Sequence, residues 1–191
     1  MERSGLKQLA ADSLSGGERY SLGDSLGTEA CAINWYVIEP GGELPGGVHA
    51  HGDQEELFVV RSGTATFETF DGRVSVGADE AIRFERGEFH HGYNAGSSTL
   101  ELVAIGAPKD TSEIFVPFAC ADCGHQWLQL ETDGRVTFEC NGCGTTKTPL
   151  LRCPECETGG LSCRLDADCV PIVRCDECEK AFDRSNFDLG F

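Results

Sequence analysis

Between residues 30 and 106 apolar and polar residues alternate in short runs. These are AINWYVIE (32–39), ELFVVRSG (56–63), TATFETF (64–70), RVSVG (73–77) and TLELVAIG (99–106), each ending at or near glycine-rich sequence. Alternation with period two puts one face of a strand towards a core and the other towards water. The dipeptide Asp71-Gly72 between two of these runs predicts a hairpin, because glycine readily takes the positive φ of a tight turn. EPGGELPGG (39–47) supplies strand breakers, and no segment carries a helical period. The pattern predicts an all-β unit, an antiparallel sandwich or barrel of about 100 residues, which is enough chain to bury a core.

After residue 116 the pattern changes. FACADCGHQWLQLETDGRVTFECNGCG (118–144) holds two short β-type runs, each beside a Cys-x-x-Cys pair, and residues 153–178 repeat the plan. Of 11 cysteines only Cys31 precedes residue 120, whereas His49, His51, His90 and His91 all lie in the first part and only His125 in the second. Segregated ligand types predict separate units: residues 1–115, 116–149 and 150–191. Cys31, in EACAINWYV, reads as a small apolar core residue. No apolar run approaches the roughly 20 residues a membrane helix needs, and the N-terminus lacks the basic start and apolar core of a signal peptide. The expectation is a cytoplasmic protein, where clustered cysteines bind metal rather than form disulfides.

The chain carries 32 acidic and 15 basic side chains, a formal charge of −17, distributed as −11 over residues 1–115 and −6 over the remainder. Acidity spread so evenly is the composition of halophilic, haloarchaeal-type proteins, whose self-repulsion concentrated salt screens. It also opposes binding to nucleic acid, and no basic patch interleaved with aromatics offsets it.

The chemistry concentrates in GGVHAHGDQEELFVVRSG (46–63) and RGEFHHGYN (86–94). On a strand His49 and His51 project to one face. A bend at Gly52 lets Glu56 turn back to them, and His90 arrives from a distant hairpin. Three imidazoles and a carboxylate make a site for Fe, Mn, Ni, Cu or Zn, with positions left open on an octahedral ion. His91 points away from His90 and is expected to be a neighbour, not a ligand. Residues 47–63 and 77–94 resemble the two motifs of the cupin family. His49, His51, Glu56 and Gly63 fit the first motif without a gap; Glu55 suits the histidine spacing but misses the glycine. Gly87, His90 and Asn94 fit the second, which departs at two turn positions: Glu85 stands where the family has proline, and Asp79 where it has glycine. The resemblance implies a small β-barrel or jelly roll holding one divalent ion.

Cys120/Cys123 with Cys140/Cys143, separated by a hairpin with Asp133-Gly134 at its tip, resemble a zinc ribbon, in which two thiolate turns enclose one tetrahedral ion. Cys153/Cys156 with Cys175/Cys178 form a second, giving two structural zinc ions. Pairing Cys140/Cys143 with Cys153/Cys156 is the competing register. Each ribbon is too poor in apolar residues to fold alone, so metal supplies much of its stability. Cys163 and Cys169 are surplus, to face each other across the second hairpin or to pack, and His125 and Trp127 are assigned local packing only. In the strand NWYVIE, Trp35 and Tyr36 point to opposite faces, so only one lines the barrel.

Two functions follow as expectations. The first is a metal-dependent enzyme of oxygenase or isomerase type acting on a small polar molecule, with no catalytic base assignable. The second is a sensing module for a small molecule or metal whose ribbons contact a protein partner or a second copy of the chain.

Overall fold

The structure is a computed structural model in which residues 1–132, 136–148 and 152–183 are described. Ten strands build the first unit: β1 (Asp12–Leu14), β2 (Gly17–Ser21), β3 (Ala32–Ile38), β4 (Ala50–His51), β5 (Glu55–Ser62), β6 (Thr64–Thr69), β7 (Gly72–Gly77), β8 (Ala81–Phe84), β9 (His91–Tyr93) and β10 (Leu100–Ala107). A single helical turn and a half, α1 (Leu22–Leu26), stops at Gly27 in the left-handed conformation (φ 66°). Beyond lie β11 (Ile114–Val116), β12 (Leu128–Glu131), β13 (Thr137–Glu139) and β14 (Thr146–Lys147), followed by β15 (Leu161–Leu165), β16 (Pro171–Cys175) and β17 (Ala181–Asp183). Among the described residues no helix is long and apolar enough to cross a membrane.

Among the described residues every strand pairing is antiparallel. One sheet runs β1-β2-β3-β10-β5-β8 and faces a smaller one, β7-β6-β9. The alternation expected from sequence is clearest in β10, whose eight residues alternate between buried and half-buried without a break. Between the sheets lies a core of Ile38, Phe58, Val60, Phe67, Phe84, Leu100 and Leu102. Phe67 sits 4.9 Å from Phe58 and 5.3 Å from Phe84, centroid to centroid. Tyr36 points inwards and Trp35 does not, which settles the choice left open by the sequence. Cys31 is half-buried in the loop before β3 and belongs to neither core, contrary to expectation.

The turns show how the two motif departures are accommodated. The β6–β7 hairpin turns on Phe70-Asp71, one residue earlier than expected, since Gly72 (φ 117°) already pairs with Thr69. Asp79 adopts φ 63°, the left-handed conformation its side chain tolerates better than most. Where proline would stiffen the turn at residue 85, Glu88 does so instead: its carboxylate accepts the Glu85 N–H at 2.5 Å. Asn94 is fully buried and ties its own loop to the end of β3. Its Nδ2 donates to the carbonyls of Ile38 and Ser98, both at 2.9 Å, and its Oδ1 accepts from Gly96 N–H.

The cysteine-rich region is not a tail on the barrel. The five-stranded sheet β14-β13-β12-β11-β4 ends in a barrel strand, with Ile114 opposite His51 and Phe115 opposite Ala50. Strand β11 thus crosses residue 115 and pairs with the barrel on one edge and the first ribbon on the other. A second core, with Val48, Val116, Phe118, Leu128, Phe138, Cys163, Leu165 and Val173, fills the space between barrel and ribbons. Cys163 lies opposite Val173, not Cys169. The expected tip at Asp133-Gly134 lies outside the described residues.

Replacing Asn94 with alanine strands the buried Ile38 carbonyl and removes the bond to the exposed Ser98, so Asn94→Ala should lower the unfolding free energy by about 1–3 kcal/mol. Urea titration of the two proteins at one pH measures the difference.

Candidate metal centre

His49 and His90 are brought together by their own backbones. Each N–H bonds the other's carbonyl, at 3.1 and 2.9 Å, so both side chains leave the same face of this isolated bridge. His51, two residues on, follows His49 to that face, and its carbonyl accepts the N–H of Gly87 at 2.8 Å. Glu56 comes from the next strand. Phe84 stacks on the His90 ring at 4.0 Å, nearly parallel.

The distances converge on one point. His49 Nε2 and His51 Nε2 are 3.2 Å apart, and Glu56 Oε2 lies 3.4 Å from His51 Nε2 and 3.0 Å from His90 Nε2. An ion about 2.1 Å from each donor, with angles near 90–109°, requires donor separations of about 3.0–3.4 Å. His49, His51 and Glu56 form a compact donor triad, and His90 closes on its carboxylate.

The far side of each ring decides which nitrogen carries the proton. His49 Nδ1 is 2.9 Å from the Gly47 carbonyl and His90 Nδ1 is 3.0 Å from the Glu88 carbonyl. A carbonyl only accepts, so both Nδ1 atoms donate. His51 Nδ1 is 3.2 Å from Thr111 Oγ1, whose own proton goes to Asp53 at 2.5 Å, and the hydroxyl is left to accept. With all three protons on Nδ1, a neutral ring presents a bare lone pair at each Nε2. The charge state agrees. Burial pushes His49 down to about 4, the nearby His90 adding to the effect, and burial likewise lowers His51. Burial opposes ionisation of Glu56, but the surrounding His90, His51 and His49 hold its carboxyl below the usual value. Although His90 approaches closely, Glu56 Oε2 has no aligned hydrogen-bond partner. Three imidazoles, each oriented from behind, and one carboxylate fit a divalent cation.

His91 faces the other way, as expected. It is 2% exposed, neither ring nitrogen has a hydrogen-bond partner, and burial with the adjacent Arg164 pushes it down to about 3.

The cysteines assemble in the predicted register. Cys120, Cys123, Cys140 and Cys143 form one cluster, and Cys153, Cys156, Cys175 and Cys178 another. Sulfur separations of 3.8 Å (Cys120–Cys143), 3.5 Å (Cys123–Cys140), 3.6 Å (Cys153–Cys178) and 3.6 Å (Cys156–Cys175) far exceed a disulfide bond. They match the edge of about 3.8 Å in a tetrahedron with metal–sulfur distances near 2.3 Å. All four turns share one geometry: the first cysteine's carbonyl accepts the N–H of the residue four positions on. That residue has φ between 57° and 75° and is Gly124 or Gly144 in the first ribbon, Glu157 or Glu179 in the second. Hydrogen bonding with Thr145 draws Cys143 down to about 6, towards the thiolate a metal needs.

A cavity of about 300 Å³ opens above the donors. Besides the four ligand candidates it is lined by Arg19, Asn34, Tyr36, Gln54, Lys109 and Thr111. The sequence offered no local signal for these six. Tyr36 alone was narrowed to one of two, and Asp53 orients His51 through a residue 58 positions away.

Residues 34–106 match the family model described as Cupin domain. Among solved structures the chain resembles a sugar phosphate isomerase of the cupin superfamily from Silicibacter pomeroyi (16% identity, TM-score 0.56, 76% of this chain and 91% of that one). It also resembles a putative sugar phosphate isomerase from Acidithiobacillus ferrooxidans (25%, 0.50, 64% and 74%). A third similar structure is the polyketide cyclase RemF from Streptomyces resistomycificus (21%, 0.52, 64% and 89%). A search of curated proteins by sequence finds no match.

The lowered His49 value fixes a pH dependence. Between about 4 and the ordinary 6.5, the unfolded chain binds a proton that the folded one does not. With the barrel free of metal, stability should be fully present above pH 6.5 and fall as pH is lowered towards 4. Urea midpoints across that range should show a shallower slope in His49→Asn. Stripping the ribbons with a strong chelator should unfold β12–β17, seen as loss of far-ultraviolet circular dichroism and recovery on adding zinc.

Proposed function

We propose that the protein is a metal-dependent enzyme of the cupin superfamily, acting on a small polar molecule by an oxygenase- or isomerase-type reaction. The carrying observation is the set of three Nδ1–H donors held from behind, which turns three Nε2 lone pairs on one buried carboxylate. His49, His51, Glu56 and His90 would hold one divalent ion, and two zinc ions would sit in the ribbons. When bound, the barrel ion supplies Lewis-acid polarisation of a carbonyl or activation of dioxygen.

The remaining cavity residues bind and orient. Arg19 and Lys109 place two cations at the mouth of a strongly acidic protein. Both are braced, Arg19 by Asp12 at 2.8 Å and Lys109 by Asp24 at 2.8 Å, and both favour an anionic group on the substrate. Burial keeps the Tyr36 hydroxyl protonated, so it serves as a donor. Gln54 Nε2 donates to the Pro108 carbonyl at 2.6 Å, which fixes its amide against the cavity wall.

A second reading, a sensor without turnover whose ribbons contact a protein partner, draws on the sheet shared by β4 and the first ribbon. Both readings are tested by elemental analysis of protein purified without chelator, beside a His49→Ala/His90→Ala variant. The expected result is two zinc ions plus one further divalent ion per chain, with only the extra ion missing from the variant. Sugar phosphates are then assayed for isomerisation and small polar acids for dioxygen uptake. Metal without any turnover favours the sensor. Two zinc ions in both proteins would remove the metal-dependent enzyme altogether.

A further inference from the structure

The loop that delivers His49 is held by the second ribbon as well as by the barrel. Gly46 (φ 104°) lies against the His49 imidazole, where a Cβ would stand 3.0 Å from ring atom Cε1. On the other side of the loop a Cβ on Gly47 (φ 64°) would meet the Cys163 carbonyl oxygen at 2.7 Å and the Arg164 guanidinium at 3.0 Å. Only glycine at both positions lets the backbone pass between the imidazole and strand β15. Val48 N–H then donates to the Cys163 carbonyl at 2.9 Å, and its side chain, fully buried, belongs to the ribbon core.

Arg164 closes this arrangement. Its Nη1 donates to the same Cys163 carbonyl at 2.9 Å, while Nη2 pairs with Glu43, at the other end of the loop, and lies 3.9 Å from Asp176, next to Cys175. One guanidinium, itself 8% exposed, therefore ties both ends of segment 43–48 to the ribbon that carries Cys153, Cys156, Cys175 and Cys178. The effect reaches the donor set in one further step, because the Gly47 carbonyl accepts the His49 Nδ1 proton at 2.9 Å. Burying a guanidinium is a poor route to stability compared with apolar packing, but its planar fork fixes direction.

We infer that Arg164 is a positioning residue for the barrel metal site: through Cys163 and Glu43 it sets the 46–48 loop and the direction of the His49 lone pair, so the zinc-loaded second ribbon raises the barrel's affinity for its divalent ion. This inference rests on the metal reading of the barrel. Residues that orient a ligand from behind typically change metal affinity by about 10–100-fold.

The test uses the full chain with both ribbons zinc-loaded, titrated with Mn(II) and followed by the electron paramagnetic resonance of the free ion. Arg164→Ala should weaken Mn(II) binding about 10-fold or more while retaining two zinc ions per chain. Arg164→Lys, which restores the charge beside Glu43 but not the fork, should recover part of the loss. Gly47→Ala, which alters no ribbon side chain, should weaken binding as well. Arg174→Ala, an exposed arginine of the same ribbon paired with Glu179, should bind like the parent. A purely structural Arg164 would lower the thermal midpoint and leave the Mn(II) affinity unchanged, which overturns the inference. Should Arg164→Ala lose zinc, parent-like Mn(II) affinity in Gly47→Ala overturns it equally. Parent protein that takes up no ion in the barrel would overturn the metal reading and this inference with it, a result distinct from a parent that binds and variants that bind as well.

Discussion

Three lone pairs and a carboxylate oxygen within 3.0–3.4 Å of their neighbours repel one another unless a cation lies between them. Holding them there is the constraint on which the rest of the barrel depends. It is met from outside the cavity: two backbone carbonyls and one hydroxyl each take an imidazole proton and leave the inward nitrogen bare. Each of those oxygens has its own support. Gly47 is pressed against β15, Glu88 caps the turn that starts at Glu85, and Thr111 is committed to Asp53. The Asp53 carboxylate is buried enough to disfavour its charge, yet bonds from Thr111 and Ser112 hold it down at about 2, so the acceptor stays charged.

The cysteine clusters do the same work at larger scale. A ribbon hairpin is too small to bury a core of its own, and here it shares one: Val48 from the barrel sits among Cys120, Cys140 and Cys163. His51 lies on the edge strand of the sheet that contains the first ribbon, and Val48, one residue before His49, bonds the second. The two histidines of one sequence motif are thus braced by different four-cysteine modules.

Much of this was legible in the sequence, for reasons that can be named. Strand runs with period two, the His-x-His pair and four Cys-x-x-Cys turns are local signals, because each unit is complete within a few residues. Even the missing proline and glycine of the second motif could be located, though not the way Glu88 and the backbone of Asp79 replace them. What stayed hidden was long-range. Nothing near Arg164 announces that it meets Glu43, 121 residues earlier. Cys163 read as a spare thiol because its contribution is made by a carbonyl oxygen, which every residue possesses. The lining of Arg19, Gln54 and Lys109 depends on which strands neighbour which, a property of topology and not of spacing. The one core assignment that failed, Cys31, followed an apolar neighbourhood that proved to be the loop ahead of β3.

The two ribbons differ at one small position with an uneven result. Where the chain must swing into the left-handed conformation after each cysteine pair, the first ribbon spends glycine and the second glutamate. A side chain with a Cβ resists that conformation by roughly 1–2 kcal/mol, so the second ribbon stores local strain at two points that the first does not. Its fold leans correspondingly harder on its thiolates. The barrel is thus braced at His49 by the more strained of the two modules, while β4 takes its partner strand from the side of the other.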